Sequence, residues 1–203
     1  VALDVSPIED GFAFPNFGKT GTKSFLGAKD LAIMFGDVAC VGGVVDPCKP
    51  VAEAAAWAMM VNNARASGHC EGLAVQAAVR FDSGASPKTI MLKKDPEIEG
   101  EIIRAFATQF LPEVQAETDK WSRKSLVEKV NALTDSFRGA EKSSASSSGL
   151  KDAAALPEGG SARFTAGIYG PAGGHAVMPY AVEFPDDDTA IIRVLDSNWP
   201  GAD

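Results

Sequence analysis

The chain has 203 residues, with 19 Lys and Arg against 27 Asp and Glu, for a formal net charge of −8. That acidity, without basic clusters, excludes an ordinary nucleic-acid binder, whose phosphates demand a Lys/Arg footprint. With 45% apolar and 23% charged residues and no apolar run near the ~18–20 residues of a bilayer span, the composition is that of a globular domain with no transmembrane segment.

Residues 1–27 are rich in Gly, Phe and Pro, as in Gly11-Phe12-Ala13-Phe14-Pro15-Asn16-Phe17-Gly18, and show no sustained period. They read as an irregular arm whose aromatics pin it to the body. The chain opens on Val1 without Met and stops abruptly after Trp199-Pro200-Gly201-Ala202-Asp203, so a trimmed chain that naturally continues past Asp203 is expected. Residues 28–36 fit a short helical turn or a strand.

Cys40 and Cys48 flank a Gly42-Gly43 and Asp46-Pro47 loop. In an exported protein they would close a small disulfide; in a cytosol both would stay reduced. Cys70 is then left over, either a small buried hydrophobe or a nucleophile.

Pro50 suits a first helical position. The Ala-rich run from Val51 to Arg65 predicts a helix, broken by Ser67-Gly68. A second helix starts at about Cys70, and Leu73, Ala74, Val75, Ala77, Ala78, Val79 and Phe81 leave it almost no polar face. A helix apolar nearly all round is a buried one. Asp95-Pro96-Glu97 is a capped helix start, followed by Ile98, Ile102, Phe106 and Phe110 along one face, with Pro112 as the expected stop. Leu126, Val130, Leu133 and Phe137 recur at helical spacing.

Glu141–Gly149 is Ser-rich and reads as a flexible connector, assigned to residues 141–160. Beyond it, Ala162–Ile168, His175–Phe184 and Thr189–Leu195 are strand-like, separated by Gly/Pro and Pro/Asp punctuation. Asp186–Asp188 reads as a solvated hairpin tip, without the spacing of a calcium loop. Helices first and strands second make an α+β arrangement: one domain over 1–203, with arm and helical part over 1–140 and a β part over 161–203.

Cys70, His175 and Asp196 stand at a helix start, a strand start and a strand end. One strand, a turn and the strand back fit between His175 and Asp196, so an antiparallel hairpin would set them side by side. A thiol attacks as thiolate, and a helix N-terminus favours an anion. An imidazole takes the thiol proton and later protonates the leaving group. A carboxylate on its far nitrogen holds the ring's tautomer and orientation. The oxyanion needs donors: the Cys70 backbone N–H and a side-chain amide, with Asn63 favoured over Asn62. His69, adjacent to Cys70, is expected to be structural or to line the mouth of the site. Zinc is the rival use of the trio, but dispersed ligands without paired spacing do not support it, and no metal or cofactor is expected.

Ser67-Gly68-His69-Cys70-Glu71-Gly72-Leu73-Ala74 resembles the nucleophile segment of papain-like cysteine peptidases of the bacterial type. Gly174-His175-Ala176-Val177 with Pro179-Tyr180-Ala181-Val182 resembles their histidine strand, and Val194-Leu195-Asp196-Ser197-Asn198-Trp199-Pro200-Gly201 their third-member segment. Gly11-Phe12-Ala13-Phe14-Pro15-Asn16 is similar to their arm, whereas the region from about residue 85 to 160 has no counterpart. The resemblance implies a papain-like fold, with a helical lobe carrying a buried nucleophile helix and an antiparallel β lobe, and cleavage of peptide or isopeptide bonds through a Cys70 thioester. Plant and lysosomal relatives place Gln six positions before the cysteine, where this chain has Ala64, and their third member is usually Asn. Here Asp196 and Asn198 compete for that role, with Asp196 preferred because it ends the strand directly. A protein or peptide substrate and an extracellular or secreted location are expected. Transglutaminase-like amine transfer by the same triad, and a non-catalytic surface or scaffold domain, stay open as alternatives.

Overall fold

In the computed structural model, described over residues 1–22, 24–43, 47–142, 164–171 and 173–201, the chain is α+β. Among the described residues the helices are α1 (Pro7–Asp10), α2 (Ala28–Phe35), α3 (Ala52–Ala64), α4 (Cys70–Asp82), α5 (Pro96–Ala107), α6 (Pro112–Ser122) and α7 (Leu126–Lys142). The strands β1 (Ala166–Gly170), β2 (Gly173–Asp186) and β3 (Thr189–Leu195) form one antiparallel sheet in the order β1-β2-β3. The expected Ser-rich connector lies largely outside the described residues, as do Ala162 and Arg163 of the first predicted strand.

Local chemistry accounts for the element starts. The Asp95 carboxylate accepts from the Glu97 and Ile98 N–H groups, with Pro96 in the first turn of α5. Ser125 and Glu128 exchange hydrogen bonds in a reciprocal cap at the start of α7. The structure corrects three expectations. Pro50 does not open α3; it pairs as an isolated bridge with Cys40, and the helix begins at Ala52 after the Val51 cap. Pro112 is not only the stop that follows α5; it also opens α6, a helix with no buried residue and therefore no apolar stripe to reveal it. Leu126 stands on the α7 stripe by spacing but is 74% exposed, since only Val130, Leu133 and Phe137 reach the core.

Two packings set the position of α4. On one side Ala74, Ala77 and Ala78 meet Met178 and Val182 of β2, together with Val130, Leu133 and Phe137 of α7. On the other side α4 crosses α5 so closely that a Cβ on Gly72 would lie 2.2 Å from the Ile102 carbonyl oxygen. The helix is thus buried on two sides but not all round, for Val79 is exposed. A separate cluster joins α2, α3 and α5 through Leu26, Leu31, Val61, Ile103 and Phe106.

The arm is pinned as its aromatics imply. Phe12 and Phe17 are buried against Leu73 and Ile102. The first residues run along β2, with Leu3 N–H donating to Tyr180 O and Val182 N–H to Val1 O, both at 2.8 Å. Cys40 and Cys48 are joined in a disulfide. Among the described residues no helix is long and apolar enough to cross a membrane.

Candidate functional site

Cys70 is the first residue of α4 and is half-buried. The turn before it needs Gly68, whose φ of +155° is disfavoured for L side chains. The next residue, Glu71, accepts from the Thr165 hydroxyl at 3.0 Å. Thr165 directly precedes Ala166, which pairs with Val177 of β2. The start of α4 therefore lies at the end of the sheet where β2 begins, the end that carries His175. Burial raises the Glu71 carboxyl above its ordinary range, against the Thr165 hydrogen bond that lowers it.

His175 lies in β2, opposite Ile168 of β1. Its Nε2 is 2.7 Å from Asp196 Oδ1, with both side chains largely covered. The register explains the meeting: Leu195 pairs with Met178, so the chain leaving β3 passes alongside the start of β2. Asp196 Oδ1 also accepts from the Asn198 backbone N–H at 2.8 Å, which closes the turn and holds the carboxylate still. A carboxylate can only accept, so the ring proton sits on Nε2. The Asn198 side-chain Nδ2 is 3.3 Å from the same nitrogen. Asp196 and Asn198 thus share one edge of the ring, with Asp196 the closer. Among the described residues Nδ1 has no hydrogen-bond partner, and none joins the Cys70 sulfur to the ring. A cavity lined by Phe12, Leu73, Ala74, Met178, Leu195 and Trp199 opens beside Asp196.

The two amides expected to serve the oxyanion are placed elsewhere. Asn62 spends its side chain on the Leu26 backbone, accepting from its N–H at 3.0 Å and donating to its carbonyl at 2.9 Å, while also accepting from Arg65. Asn63 is exposed on α3. The amide that does stand at the α4 start belongs to Asn16, whose Oδ1 accepts from the His69 backbone N–H at 2.8 Å. Periodicity could not single it out, because the arm has none. The only sequence signal is a lone Asn between Pro15 and Phe17.

No protein-family model, no curated protein and no solved structure matches this chain. Among the described residues no group of three or more His, Cys, Asp or Glu is arranged to hold a metal.

His69 is fully buried and structural. Arg65 Nε–H donates to its Nε2 at 2.7 Å, and its Nδ1–H donates to the Phe17 carbonyl. This arrangement requires the neutral ring. Burial, aided by Arg65 and opposed by the Phe17 hydrogen bond, lowers its pKa to about 4. Above about pH 6.5 the folded and unfolded chains both hold the ring neutral, and the full stabilisation is present. Between that pH and about 4 only the unfolded chain gains the proton, so stability falls as pH falls, by about 3 kcal/mol in all. Glu71 acts with the opposite sign, since the folded state holds its proton more tightly. Urea midpoints at pH 7 and pH 4, compared with those of His69→Gln, isolate the histidine. An acid loss as large in His69→Gln as in the wild type would contradict this assignment.

Proposed function

We propose that this chain is a papain-like cysteine peptidase, cleaving peptide or isopeptide bonds of a protein or peptide substrate through a thioester on Cys70. The observation that carries the reading is the 2.7 Å bond from His175 Nε2 to Asp196 Oδ1, at the sheet end against which the start of the Cys70 helix packs. With Nε2 committed to the carboxylate, Nδ1 is the nitrogen that serves the thiol. It takes the Cys70 proton as the sulfur attacks the carbonyl carbon, then returns that proton to the leaving amine as the carbon–nitrogen bond breaks. Water adds to the thioester by the same base, releasing the acid and the thiol. Asp196 holds the ring and stabilises the imidazolium. The first-turn N–H groups of α4 favour the anion and supply one oxyanion donor. The Cys40–Cys48 disulfide supports an oxidising compartment outside the cytosol.

Alkylation tests the thiol directly. With Cys40 and Cys48 bonded to each other, iodoacetamide should label one cysteine, Cys70, quickly at neutral pH. His175→Ala should slow the labelling by about tenfold or more, because the thiolate loses its proton acceptor. Equal rates in the two proteins would sink the proposal. Incorporation of a labelled primary amine into a Gln-containing protein, without peptide-bond cleavage, would redirect it to amine transfer.

A further inference from the structure

The two halves of the candidate site belong to segments far apart in the chain, and the arm touches both within one residue. The Asn16 backbone N–H donates to the Ser197 carbonyl at 2.7 Å, inside the Asp196–Asn198 turn. Its side-chain Oδ1 accepts from the His69 backbone N–H at 2.8 Å, at the residue that precedes Cys70. The next residue, Phe17, offers its carbonyl to the His69 ring. The fit leaves little play. A Cβ on Gly68 would lie 2.7 Å from Asn16 Nδ2, and one on Gly18 would lie 2.6 Å from the Ala66 carbonyl oxygen. The arm is thus wedged between the nucleophile turn and the acid turn, hydrogen-bonded to each.

We propose that Asn16 is a positioning residue that sets the separation between the Cys70 sulfur and the His175 ring. The inference rests on the proposed thiol chemistry and adds the residue that keeps its parts in register. Asn suits the task because its side chain is short: Oδ1 reaches the N–H at the α4 start while the main chain stays within reach of Ser197. Without that acceptor the arm keeps its backbone bond to Ser197 and the Phe17 bond to the His69 ring, but the main chain that leads into Cys70 loses its direct link to the Asp196–Asn198 turn. The ring remains bonded to Asp196, but its other nitrogen no longer meets the sulfur at a set distance, and proton transfer is sensitive to such displacement.

The test is a double-mutant cycle on the Cys70 alkylation rate across pH, in wild type, His175→Ala, Asn16→Ala and the double variant. Asn16→Ala should slow alkylation about fivefold, and the further change His175→Ala should then slow it by only about two- to threefold, well short of its effect in the wild type, because the coupling is already largely broken. Asn16→Asp, which keeps the acceptor, should recover most of the rate. A purely structural role would lower the melting temperature while leaving the fold-effect of His175→Ala the same with and without Asn16→Ala, and that result would overturn the inference alone. Equal rates in wild type and His175→Ala would overturn the thiol chemistry and this inference together. If Asn16→Ala does not fold, Asn16→Gln carries the same expectation, since it moves the amide outward by one methylene.

Discussion

Asp196→Ala is expected to lower kcat/KM for a fluorogenic peptide amide by about 10²-fold, and Asn198→Ala by less than about tenfold. The two residues share the Nε2 edge of His175, but not equally. Asp196 lies at 2.7 Å and Asn198 at 3.3 Å. A charged acceptor at the shorter distance makes the stronger bond and, in the proposed reaction, would also stabilise the imidazolium formed as the thiol gives up its proton. The Asn198 backbone N–H, which steadies the carboxylate at 2.8 Å, survives the Asn198→Ala change. The larger loss should therefore follow Asp196, with most of it in kcat, because neither side chain is asked to bind the substrate. A greater loss in Asn198→Ala would reverse the assignment of the third member. Melting curves of both variants separate this effect from unfolding.

Gly72→Ala is expected to destabilise the fold by about 3 kcal/mol or more, read as a shift of the urea midpoint. Three atoms of α5 surround the place a methyl would take: the Ile102 carbonyl oxygen at 2.2 Å, the Phe106 nitrogen at 2.9 Å and the Phe106 Cβ at 3.0 Å. The first two are backbone atoms inside a helix and cannot turn aside as a side-chain tip would. Relief requires α4 and α5 to separate, which opens the contacts of the buried Leu73, Ile102 and Phe106 together. Because Cys70 lies two residues before Gly72, the same shift should also slow its alkylation. A loss below about 1 kcal/mol would mean that the helices yield far more easily than close packing allows.

Much of the architecture is legible in the chain because it is written in local chemistry. Asp95 and Pro96 announce α5 by satisfying N–H groups that any helix start leaves open. Alternating punctuation at Gly170–Gly174 and Pro185–Asp188 marks the ends of the strands. The approach of His175 to Asp196 is equally legible, since a hairpin of known strand length returns the chain to its own start. By contrast, α6 is hidden because a helix that buries nothing carries no apolar period. Pro50 misleads because its bridge to Cys40 competes with helix initiation, and that bridge is a tertiary event.

The amides of the candidate site show the division most clearly. Asn62 and Asn63 are near Cys70 in sequence, but helix phase and a free Leu26 backbone drew one away and left the other in solvent. Asn16 is more than fifty residues from the cysteine turn it caps and far further from Ser197, yet it bonds to both. By itself the chain determined the starts of α4, α5 and β3, the α+β order and the pairing across one hairpin, because each depends on neighbours within a few turns or one strand length. Only the tertiary structure decided that Cys40 bonds Cys48, that His69 is sealed against Arg65, and that the arm joins the α4 start to the Asp196 turn. The contacts of the arm close long loops, and their partners are selected by packing across the whole core, which no local spacing encodes.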